Sequence, residues 1–174
     1  MQSLRTHSLR VNCVLLAVLG PVAAIAATAI ANLEFRDQFG HTSSLASHLG
    51  APVIVVVVSI PRLAMIEPWE RDLHERVPEV RFLNVADLPG DVPVDLDRTA
   101  ATLRKRVPPG VVVLMDPARD WATTYGLDTA LPNLLLFDAG GQLTARFRGR
   151  WTAELGAQVA TAISAVNPGQ GAMP

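Results

Sequence analysis

The side chain best suited to nucleophilic and redox chemistry, the thiol, occurs once in 174 residues, at Cys13. It stands near the start of the apolar run "VNCVLLAVLGPVAAIAATAIA", directly behind Asn12, and reads as one small apolar residue of that run. A lipid-attachment cysteine would instead follow the apolar run and come after a small residue. The other candidates are spread thinly. His41, His48 and His74 lie on separate predicted elements, without an i, i+4 or carboxylate-flanked metal spacing. His41 and His48 are close enough in sequence to meet near the opening loop. Ser43, Ser44 and Ser59 have no legible His–Asp partner, and a serine without a base is an ordinary hydroxyl. Prolines interrupt the run Asp91, Asp95, Asp97, and no glutamate closes it as a calcium loop requires. "DAGG" is too short to cradle a phosphate and suits a hairpin turn. The expectation is therefore no catalytic residue, no metal and no cofactor.

The first 31 residues explain why Cys13 counts for little. Arg5, His7 and Arg10 precede the apolar run, and two small-x-small sites follow, Ala24-Ile25-Ala26 and Ala29-Ile30-Ala31. That order is a secretory signal peptide and implies a periplasmic or secreted protein. The competing reading is an uncleaved anchor over Val11 to Leu33, with the domain facing the periplasm. After cleavage no cysteine remains, which excludes a disulfide scaffold, a thiolate zinc site and cysteine catalysis. The formal net charge of −1 and the lack of a basic block argue against nucleic-acid binding.

Past Leu33 the chain alternates short β-rich runs with helical periodicity, an α/β signature. "PVIVVVVS" has the unbroken Val/Ile character of a strand buried on both faces. Ile66, Trp69, Leu73 and Val77 form the apolar stripe of the helix that follows. "VRFLNVAD" and "VVVLMD" are further strands. "LPGDVPVDLD" is a loop, and "RTAATLRKRV" a surface helix. In "DPARDWATTYG", Asp116 is the expected N-cap, Pro117 the first helical residue and Gly126 the helix end. Leu134 to Phe137 and Leu143 to Phe147 form a hairpin about Asp138 to Gly141. Thr152 then caps a helix whose face includes Leu155, Val159, Ala162, Ile163 and Val166. Trp69 and Trp121 are expected in the core or as groove walls, and Trp151 between the last helix and the sheet. Residues 167–174 have little to bury and read as a disordered tail.

Over Glu34 to Val166 this order resembles the thioredoxin-like superfamily, and within it the redoxin branch that includes alkyl-hydroperoxide-reductase and thiol-specific-antioxidant proteins. The resemblance rests on "FRDQFGHTSSLASHLGAPVIVVVV" and on "VLMDPARDWATTYGLDTALPNLLLFDAGGQLTARFRG". It implies a central mixed β-sheet flanked by helices, with residues 32–166 as the domain. "IEPWERDL" is similar to the family's Glu-x-Pro-x-Leu helix, although Glu67 and Pro68 are adjacent here. Counting back from Pro68 puts the two CxxC positions at Ile60 and Leu63, both aliphatic. Thiol-disulfide exchange and peroxidase chemistry are thus not carried over, since both need a thiolate. By the same resemblance Pro132 falls on the fold's cis-proline.

The implied function is binding, as a protein- or peptide-binding module of the cell envelope. Relatives hold extended polypeptide beside the cis-proline by main-chain hydrogen bonds, a strand-type mode of capture. Ile60, Arg62, Leu63, Leu131, Pro132 and Asn133 are the candidate binding residues. Arg62 draws interest because a cation near a helix N-terminus is locally unfavourable, which fits either a solvated or a partner-facing charge. The partner would be another cell-envelope protein or an extended peptide. The alternative is a redoxin relative that borrows a partner's thiol or cofactor. A cluster of perturbed titratable groups in the groove would favour that alternative, and an apolar groove would favour binding.

Overall fold

A computed structural model describes residues 30–88 and 93–166. Cys13, most of the signal-like segment, Asp91 and the expected tail lie outside the described residues. The centre of the fold is β3 (Val53–Ser59), whose β-branched "VIVVVV" is stiff at χ1 and buried throughout. It pairs in parallel with β4 (Arg81–Asp87) and antiparallel with β6 (Asn133–Phe137). The remaining strands are β1 (Phe35–Asp37), β2 (Thr42–Ser43), β5 (Val113–Asp116) and β7 (Leu143–Arg148). Together they form one mixed seven-stranded sheet in the order β2-β1-β5-β4-β3-β6-β7.

Because strand side chains alternate, β3 feeds two cores. Ile54, Val56 and Val58 face α1 (Glu67–Arg76), α2 (Leu96–Arg106) and α4 (Ala153–Val166). Val53, Val55 and Val57 face α3 (Asp120–Tyr125), Phe35 and Leu45. The predicted stripe of α1 is buried at Ile66, Trp69 and Leu73, and Trp69 Nε1 donates to the Gly149 carbonyl at 3.3 Å. Gly156 lets α4 lie against α1, because a Cβ there would collide with the Asp72 carboxylate. Thr152 caps α4 through the Leu155 amide at 3.1 Å.

Three local expectations are revised. Helix α3 does not begin at Pro117. The chain leaves β5 through Arg119, held in the left-handed region at φ 60°, and the helix starts at Asp120. Asp116 still caps it from a distance, accepting from the Asp120 amide at 3.0 Å and the Trp121 amide at 2.9 Å. A carboxylate reaches these unpaired first-turn amides without the intervening residues being helical. Gly126 ends the helix in the left-handed region, as predicted. Helix α2 starts at Leu96, capped by Asp95 through the Arg98 amide. Trp151 is 36% exposed, and its Nε1 lies over the first turn of α4 at Gly156 instead of under the helix.

Candidate functional site

Register places Ser59, Asp87 and Asp116 side by side at the carboxyl ends of β3, β4 and β5. In open α/β sheets this is the edge where ligands bind. From Ser59 the chain enters a 3₁₀ turn, Ile60–Met65, ahead of α1. Ile60 is half-buried and Arg62 exposed. Leu63 is only 8% exposed and belongs to the core over α1. Burying such a side chain is worth about 1.5–3 kcal/mol, which holds the turn in place and leaves that position nothing polar to present.

The loop before β6 lies beside this turn, since the Ser59 amide donates to the Thr129 carbonyl at 3.0 Å. Leu131 is half-buried, whereas Pro132 and Asn133 are buried. The six predicted residues therefore fall on two neighbouring segments, with Ile60, Arg62 and Leu131 at the surface. Asn133 acts inward: its amide nitrogen donates to the carbonyls of Asp128 at 2.9 Å and Leu131 at 3.0 Å. The Pro132 carbonyl accepts from Gly149 at 3.0 Å. The expected cis-proline is not found, and the Leu131–Pro132 bond is trans. Because a tertiary amide prefers trans only weakly, local contacts decide the isomer. Here Asn133 and Gly149 hold the segment on both sides of the trans bond.

Behind the loop lies a buried polar network that the sequence reading did not assemble. Thr129 Oγ1 donates to Asp87 Oδ2 at 2.6 Å, and Arg119 Nε donates to Asp87 Oδ1 at 3.2 Å. Asp116 is fully buried. Burial pushes its carboxyl above the usual range, the Trp121 and Asp120 amides pull it back, and the charges of Asp120 and Asp87 push it up again; the net shift is upward. One signal was available in the sequence: two apolar strands, "NVAD" and "VLMD", each end in aspartate, and parallel strands bring such ends to one edge.

The histidines separate. His41 Nδ1 contacts Asp37 Oδ2 at 3.2 Å, while His48 Nε2 meets Ser43 Oγ at 2.9 Å. This serine–histidine contact went unread in the sequence. Burial, then the nearby Arg81 charge, lower the His48 pKa and favour the neutral ring. Ser43 also meets Ser47 Oγ at 3.2 Å, so the contact belongs to the capped turn Leu45–His48. His74 packs on Phe82 at 4.9 Å between ring centroids. Among the described residues no three His, Cys, Asp or Glu side chains gather as a metal site, and no helix is long and apolar enough to cross a membrane.

No family model and no curated protein matches the sequence. Solved structures do match. The exposed lipoprotein thioredoxin Etrx1 of Streptococcus pneumoniae is 18% identical over 74% of this chain and 97% of its own, with a TM-score of 0.59. The MTB dsbF structure, in mixed oxidised and reduced forms, is 19% identical over 79% of this chain and 97% of its own, also at 0.59. Peroxiredoxin Q of Xanthomonas campestris is 14% identical over 79% and 94%, at 0.58. Identities this low speak for the fold alone, and on sheet order, helix placement and these likenesses the fold of this chain is thioredoxin-like.

Proposed function

We propose that the chain is an exported thioredoxin-like binding module that holds an extended segment of another cell-envelope protein between the Ile60–Leu63 turn and the Leu131–Asn133 loop. One observation carries the reading: the positions that correspond by resemblance to the two thiols hold a half-buried Ile60 and a core-buried Leu63, beside a loop whose backbone is already latched. A preformed apolar rim with fixed main chain lowers the ordering cost of capturing a peptide. The perturbed carboxyl of the neighbourhood, Asp116, has no exposed surface and caps α3 with both oxygens, so it offers a substrate nothing. The borrowed-thiol alternative therefore draws no support from it. Export fits both the signal-like N-terminus and the exposed lipoprotein among the similar structures.

The test is site-specific photocrosslinking in cells expressing the whole chain, with the probe replacing Arg62, Leu131 or, as a control, exposed Thr161 on α4. A shared envelope-protein adduct from positions 62 and 131, absent at 161, is the expected result. Adducts at all three positions, or only at 161, would remove the groove from consideration.

A further inference from the structure

A second site adjoins the turn and shares Leu63 with the proposed peptide groove. Leu63 and Ile66 line a cleft together with Val107 and Val111 from the connection between α2 and β5 and Val113 at the start of β5. The accessible space is about 80 Å³ and opens to solvent, room for a short aliphatic chain and smaller than a drug-sized site. Into this apolar setting α1 brings the half-buried Glu70. Asn84, 4% exposed on β4, holds that carboxylate by donating to Glu70 Oε1 at 2.7 Å. Its second amide donation goes to the Val112 carbonyl at 3.2 Å, and its own Oδ1 is buried without a partner.

We infer that this cleft binds a small apolar ammonium ligand, the chain lying among Leu63, Ile66 and Val113 and the cation meeting Glu70. A glutamate in the first turn of α1 complements the helix dipole without help from β4. A leucine at position 84 would bury its side chain without an orphaned oxygen. The Glu70–Asn84 pair is thus a local departure from good packing, of the kind that marks binding sites. Asn84 orients the carboxylate, as an outer hydrogen bond orders a ligating group. Glu67, at the mouth, is engaged along the helix by Arg71 at 3.6 Å, which leaves Glu70 as the directed acceptor. Arg106 also lines the cleft, and its positive charge opposes any ammonium and a diammonium the more. Monoamines should therefore bind better than diamines. The same chemistry is offered by a free alkylamine and by a lysine side chain, whose four methylenes carry an ammonium.

The experiment titrates the purified full-length chain with hexylammonium, hexanol, hexanoate, 1,6-diaminohexane and acetyl-lysine methylamide, following backbone amides by NMR. Hexylammonium or the lysine derivative should saturate shifts at Glu70, Asn84 and Val111 to Val113, whichever binds tighter naming the source of the amine. Hexanoate and hexanol should bind at least tenfold more weakly, and Glu70→Gln should weaken the amine at least tenfold while leaving hexanol unchanged. Leu131→Asp, which attacks the peptide groove, should leave amine binding intact, so the two sites fail independently. Equal affinity for amine and alcohol overturns the proposal in the unmodified protein, without recourse to any variant. So does an unchanged affinity in Glu70→Gln, or the absence of saturation by either amine.

Discussion

Strand β4 carries one buried polar centre on each face of the sheet, and the two are built differently. On the α3 face, Asp87 has both oxygens engaged, by Thr129 and Arg119, and the result is closed. On the other face, Asn84 spends its donors on Val112 and on Glu70, which lines a cleft, and keeps its own oxygen unpaired. A satisfied network over-determines the chain around it, here the loop that leads into Leu131 and Pro132. An unsatisfied one costs stability and persists where something else uses it. The difference separates a centre whose carboxylate is fully engaged from one that the proposed amine site would use.

The largest effect should come from opening the closed centre. Asp87→Ala leaves the buried Thr129 hydroxyl without its acceptor and removes the Arg119–Asp87 ion pair, which contributes less because the arginine side chain is 45% exposed. The expected loss is about 2–4 kcal/mol, read as a lower urea midpoint. Asp87→Asn should lose roughly half as much, because one acceptor oxygen survives. A loss of under about 1 kcal/mol for the alanine variant would mean that the network does not hold this edge together.

A second measurement asks how dry the α3 face is. Tyr125, the single tyrosine, stacks on Trp121 at 5.7 Å, and burial pushes its phenol up to about 12 while Arg146 over its ring pulls it partly back. A folded pKa above the unfolded value means that this group's contribution to stability is complete below pH 10 and lost as pH rises through about 12. An ultraviolet absorbance titration should show one midpoint near 12 in buffer and near the ordinary value of about 10 in urea. A native midpoint at the ordinary value would show water reaching the ring.

The smallest effect should belong to the open centre. Asn84→Leu removes an orphaned oxygen along with two hydrogen bonds, and Glu70 can turn to solvent. The urea midpoint should move by less than the equivalent of about 1 kcal/mol. A loss as large as that of Asp87→Ala would make the two centres alike and erase the contrast.

The fold was legible wherever a period or a local signal carried it. Six uninterrupted Val and Ile residues identified the central strand, the α1 stripe its buried face, and "DAGG" the hairpin in which Asp138 Oδ1 accepts from Gly140 and Gln142. Strands β1 and β2 were not legible, because three and two residues are too few to show alternation. The turn and loop of the proposed groove were locatable by resemblance, but the trans peptide and the inward role of Asn133 were not.

By itself, then, the sequence determined the α/β layering, the single cysteine outside the predicted mature domain and the aliphatic pair at Ile60 and Leu63. Only the tertiary structure decided that Asp87 meets Thr129 across 42 positions, that Glu70 lies against Asn84, and which isomer Leu131–Pro132 adopts. Periodicity reports which face of an element is buried, a property of neighbouring residues along the chain. A polar pairing depends on distances of about 3 Å between atoms on different elements. Those distances are set by a sheet that seats β1 beside β5 and β3 beside β6, strands far apart in sequence.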